Sequence, residues 1–187
     1  MDKIKANYEK IKAQIAPYNP IIIAVTKYFD EKQIIKYYDL GFRDFGENRV
    51  KDALAKMEKL PLEIINNSRF HLIGHLQTNK AKLAVGKFDL IHSVDSVKLA
   101  DIVNEQYEKE INSMNAVKIC GLMNMAPIDS SEEELHKLFG NIKQIYDDLQ
   151  SELRVELNQL SMGMSRDFKI ALEEGATMIR LGRILFE

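Results

Sequence analysis

The chain has 187 residues, a net charge of −2, 45% hydrophobic and 29% charged residues, and one cysteine. That length suits a single domain over residues 1–187 with a sizeable core. The near-neutral charge gives no global electrostatic case for nucleic acid or an anionic membrane, no apolar run is long enough to span a bilayer, and one cysteine excludes an intrachain disulfide framework.

Ile4, Tyr8, Ile11 and Ile15 recur at helical spacing and predict a leading helix. The segment is charged and lacks the apolar stretch of a secretory signal, so a cytoplasmic protein is expected. Ile21–Val25 reads as a buried strand that runs through Thr26 into Lys27. Asp30 with Gln33 resembles a capping box, and Gly41 sits where a left-handed cap would close that helix. A short strand at Asp44-Phe45 leads into a helix from Glu47 to about Leu60. Strands follow at Arg69–Ile73 and Leu90–Ser93, separated by a helix ending near Gly86. A long helix begins near Asp95 or Ser96. The fifth strand is read over Val117–Met123, with Cys120 as a buried, inert thiol. Ser131 with Glu134 forms a second capping box. Glu156–Ser161 is the sixth strand, Ser165 is expected to cap the next helix, Gly175 ends it, and Met178–Leu181 is the seventh strand. Regular alternation of strand and helix means an α/β protein with parallel strands, either an open sheet or a closed barrel. Seven strands is one fewer than a full barrel.

Chemistry in such folds sits at the C-terminal ends of the strands. Lys27 is placed there, and a lysine with an apolar stem can lose its proton and attack a carbonyl. Alone, a strand-end lysine is more often a solvated cation. Gly46-Glu47-Asn48 follows the second strand, with Glu47 favourable at a helix start and Asn48 able to meet a ligand edge. His71 and His75 are four apart, but on a strand and loop rather than a helix, and no third ligand is evident; no metal site is expected. Ser161-Met162-Gly163-Met164-Ser165 and Arg180-Leu181-Gly182-Arg183 could expose backbone N–H groups to an anion. A strand-end lysine with a late phosphate cradle suits a phosphorylated aldehyde cofactor, pyridoxal 5′-phosphate (PLP). Arg180 near its pyridine nitrogen would keep that nitrogen unprotonated and weaken the electron sink.

The stretches AVTK (24–27), GFRDFGENRV (41–50), FHLIGHLQTNK (70–80), IHSVD (91–95), GLMNMAP (121–127), LSMGMS (160–165) and ATMIRLGRILF (176–186) extend over nearly the whole chain. Together they resemble the YggS/PROSC family of PLP-homeostasis proteins. The resemblance implies a TIM-type (β/α) barrel like the N-terminal domain of alanine racemase. It implies PLP on Lys27 as a Schiff base, Asn48 and His71 lining the pocket, and Met162 and Met164 close by. Ser165, Gly182 and Arg183 would hold the phosphate, and Arg180 would approach the ring nitrogen. The sequence departs from the family in three ways. A strand–helix unit is lacking between Glu110 and Val117. Arg183 replaces a small hydroxyl residue, and the chain stops at Glu187, where the family has a Gly-x-Arg-like tail. The implied role is binding PLP in the control of its intracellular supply, with little or no turnover. PLP-dependent apo-enzymes are the candidate recipients, and the protein is expected as a monomer without nucleic-acid or membrane partners. The alternatives are a racemase-like PLP enzyme, which needs a second base not found here, and a phosphate-binding barrel protein that uses no PLP.

Overall fold

In a computed structural model of the protein, residues 2–111, 117–153 and 156–187 are described. In chain order the elements are α1 (Asp2–Ile15), β1 (Ile21–Val25), α2 (Glu31–Asp39), β2 (Asp44–Glu47), α3 (Val50–Met57), α4 (Leu62–Asn66), β3 (Arg69–Leu72), a 3-10 turn (Thr78–Lys80), α5 (Ala81–Ala84) and β4 (Leu90–Ile91). They continue with α6 (Val97–Ile111), β5 (Gly121–Met123), α7 (Glu132–Leu153), β6 (Gln159–Ser161), α8 (Phe168–Glu173), β7 (Met178–Leu181) and α9 (Arg183–Phe186). Seven strands are present among the described residues, the number read from the sequence. The expected gap between Glu110 and Val117 falls largely on residues 112–116, outside the described residues.

The chain divides into two compact units, Met1–Ala24 with Ile119–Glu187, and Val25–Lys118. In the first, β7 lies parallel between β1 and β6, in register Ile23 to Arg180 and Ser161 to Met178, and β6 pairs with β5. Ile23, Leu160, Ile179, Phe139 and Leu185 are wholly buried there. α1 turns Ile11 and Ile15 inward, and Asn7 Nδ2 donates to Leu185 O at 3.2 Å. In the second unit, β3 is parallel to β2 and β4. Phe45 and Phe70 stack across β2 and β3 with centroids 5.7 Å apart. Val50, Leu72, Leu76, Ala81, Leu99 and Val103 form a core beneath α5 and α6.

Both capping boxes are present. Asp30 accepts from Gln33 N while Gln33 returns the bond, and Ser131 and Glu134 do the same. Gly41 closes α2 with φ at +98°, a conformation that favours glycine.

Four expectations need correction. Glu47 is not a helix start; it is the last, buried residue of β2, and α3 begins only at Val50. Ser165 does not cap α8. A turn intervenes, and Asp167, whose carboxylate accepts from Met164 N, is the cap residue. β5 starts at Gly121, because its partner β6 begins at Gln159; Val117 and Ile119 are exposed and Cys120 lies before the strand, only partly buried. For the same reason β6 is shorter than Glu156–Ser161.

Candidate functional site

In the second unit, Thr26 leaves β1 and Lys27 follows it at the strand's C-terminal end. Lys27 is partly buried, with Nζ 4.9 Å from the centroid of the exposed Tyr28 ring. Thr26 is fully buried, and three groups hold it. Its N–H donates to Gly46 O at 2.9 Å, its hydroxyl to Glu47 Oε1 at 2.7 Å, and its carbonyl accepts from Lys56 Nζ at 2.9 Å. Lys56 also pairs with Glu47 Oε1 at 2.7 Å.

Asn48 follows β2 and opens on a cavity of about 480 Å³, shared with Lys51, Gly74, His75, Gln77 and Lys80. Gly74 is required there: a Cβ would stand 2.2 Å from Asn48 O. His71 is fully buried on β3 and does not reach this cavity. Its Nε2 meets Asp44 Oδ1 at 2.9 Å and its Nδ1 meets His92 Nε2 at 3.1 Å. Burial pushes the Asp44 carboxyl up, but hydrogen bonds from His71 and Arg69 outweigh it and the net shift is downward.

In the first unit, Ser165 and Gly182 are brought together. Ser165 Oγ accepts from Gly182 N at 3.4 Å and Ile184 N at 3.5 Å. Bonds of that length leave both N–H groups weakly satisfied. Ser165 also borders a cavity of about 350 Å³ whose lining includes Lys10, Arg166 and Lys169 and no carboxylate. Met162 is fully buried, Met164 partly, and Arg183 is exposed at the start of α9. Gly163 has φ at +91°, and a Cβ there would lie 2.6 Å from Ala171 Cβ, so the β6–α8 turn packs tightly on α8.

Arg180, on β7, is 3% exposed. Its Nη1 donates to Ser161 O at 2.8 Å and Ser161 Oγ at 2.7 Å, and its Nη2 donates to Asn124 O at 2.7 Å. Burial lowers its pKa to about 10, with Asp167 pulling the other way, so it stays protonated at neutral pH. Of its five N–H groups, the Nε–H and one on Nη2 have no acceptor among the described residues. Beside it, the buried Asn124 Oδ1 also lacks a partner among them. An open pair of donors and an open acceptor can take a water or the polar edge of a ligand.

Sequence reasoning missed Lys56, Asp44, His92 and Asn124. Glu47 and Lys56 are nine residues apart on a strand and a helix, a spacing that no helical or strand period marks. Asp44 and Asn124 stood inside recognised motifs without a role.

No protein-family model matches the chain. The pyridoxal phosphate homeostasis protein of Synechocystis sp. (strain ATCC 27184 / PCC 6803 / Kazusa) is 34% identical over 96% of this chain and 95% of its own. That alignment runs over 212 positions, more than the 187 residues here, so the relative carries residues without a counterpart. PipY of Synechococcus elongatus PCC7942, solved with PLP bound, is 34% identical, with a TM-score of 0.88 over 98% of this chain and 100% of its own. Alanine racemase of Clostridium difficile 630 matches this whole chain with 56% of its own at a TM-score of 0.76; at 14% identity this shows the fold alone, an α/β fold of the racemase's barrel type.

Proposed function

Because the chain belongs to the family of pyridoxal phosphate homeostasis proteins, we propose that it binds PLP and serves the control of intracellular PLP supply with little or no turnover of its own. The observation that carries this reading is Lys27, at the C-terminal end of β1 on a backbone held at three points, in a chain similar to a protein solved with PLP. When bound, PLP supplies an aldehyde that condenses with a primary amine and releases water. Lys27 offers that amine. Ser165 offers a hydroxyl, and Gly182 and Ile184 offer weakly satisfied N–H groups, to a phosphate ester. Arg183 adds an exposed cation next to Gly182. Arg180 keeps its own proton and so leaves a facing pyridine nitrogen without one, which suits holding more than catalysis. Its two open N–H groups and the open Asn124 Oδ1 fit such a ring. Asn48 offers an amide at its cavity and Met164 a partly exposed thioether, while His71 and Met162, being buried, shape walls. PLP-dependent apo-enzymes are the proposed recipients.

The test is an absorption spectrum of purified protein with PLP, followed by borohydride reduction and peptide mapping. A visible band that reduction removes, with the label on Lys27, is expected. A band that survives in Lys27→Ala overturns the assignment. Racemization of alanine by the PLP-loaded protein would favour the enzyme reading instead, and none is expected.

A further inference from the structure

We propose that Glu47 and Lys56 are positioning residues for Lys27, acting through the hydroxyl and the carbonyl of Thr26; this rests on Lys27 being the cofactor lysine. Glu47 is 1% exposed and Lys56 9%. Their ion pair joins β2 to α3, yet a pair with only that task would need no third residue. Here both charged groups reach Thr26, the residue immediately before Lys27: Glu47 takes its hydroxyl and Lys56 takes its carbonyl. The same carbonyl accepts Phe29 N–H at 2.9 Å, closing a four-residue turn of which Lys27 is the second member. The Gly46 carbonyl fixes Thr26 from the strand side. The Cα of Lys27 is therefore held from both directions while its amine stays reachable.

A buried ion pair gains little net stability, since desolvation offsets the attraction. Placement of a reacting group is different: a displacement of about 1 Å can cost on the order of a hundredfold in rate. The pair's larger effect is thus on where Lys27 sits.

The experiment compares wild type with Lys56→Met, the double variant Glu47→Gln/Lys56→Met, Thr26→Val and Thr26→Ser. Three quantities are read: the melting midpoint, the rate at which PLP becomes borohydride-fixed on Lys27, and, in PLP-free protein, the pH dependence of Lys27 acetylation by acetic anhydride. Lys56→Met leaves a buried carboxylate unpaired and should melt early. The double variant removes both charges and should regain most of the midpoint. Its PLP fixation should nevertheless remain roughly tenfold to a hundredfold slow, with the acetylation profile still displaced. Thr26→Val should show the same loss, and Thr26→Ser should restore it. A double variant that fixes PLP at the wild-type rate, or losses that simply follow the melting midpoint, would overturn the proposal. Should the double variant not fold, the Thr26 pair decides. Wild type that never labels at Lys27 would instead sink the PLP assignment, while the acetylation profiles would still read positioning.

Discussion

Lys56 in one unit and Arg180 in the other are both buried long-chain cations, and they are satisfied in opposite ways. Lys56 has a carboxylate at 2.7 Å and a single carbonyl. Arg180 has a hydroxyl and two carbonyls, all neutral, and keeps two N–H groups without an acceptor among the described residues. A cation paired with a carboxylate is locally neutral and has nothing further to attract. A cation whose hydrogen bonds all go to neutral dipoles keeps more of its field, and burial lowers its pKa although the Asp167 carboxylate offsets part of that. The first arrangement is closed; the second leaves two donors open.

The sharpest way to break this contrast is Lys56→Met, which leaves Glu47 charged and buried. We expect a loss of about 3–5 kcal/mol in urea unfolding. Arg180→Met leaves no hydrogen-bonded carboxylate behind and strands only neutral acceptors, so a smaller loss of about 1–3 kcal/mol is expected, together with weaker PLP uptake in a dialysis assay. Equal losses for the two variants would erase the distinction.

Asp44 offers a third, milder case. Its folded-state pKa is depressed, so its contribution is fully present above the unfolded carboxylate value of about 4 and is lost as pH falls below it. Urea midpoints measured from pH 7 downward should show an acid-side decline that Asp44→Asn flattens. At the exposed end of the scale, His136 hydrogen-bonds Glu174 at 2.7 Å, which raises its pKa. That interaction is present at low pH and lost as pH rises through the raised value. Glu174→Gln should return the imidazole titration seen by NMR toward its ordinary value without a measurable change in midpoint.

The sequence announced some of this architecture and concealed the rest, for physical reasons. β1 and β7 are as read, because a run such as Ile21–Val25 is short, β-branched and preceded by Pro20, which favours a strand over a helix, and both capping boxes are local patterns. The start of β5 is hidden in the sequence because Val117–Cys120 is apolar enough for a strand, whereas pairing depends on where β6 begins. Ser165 looks like a cap because a serine at a strand–helix junction usually is one; here the turn to Asp167 delays the helix and frees the hydroxyl for Gly182 and Ile184. Lys27 stands out in the sequence by its place at a strand end. The pair that grips the residue before it joins a strand to a helix, and only the folded chain brings those charges together.

The exposed ring of Tyr28 against the amine of Lys27 has an optical consequence. With no tryptophan in the chain, ultraviolet emission is dominated by its tyrosines. An absorber joined to Lys27 would drain excitation from Tyr28 at near-contact range. Emission should therefore dim if the lysine is filled as proposed, which would give a gauge of loading that needs no added dye.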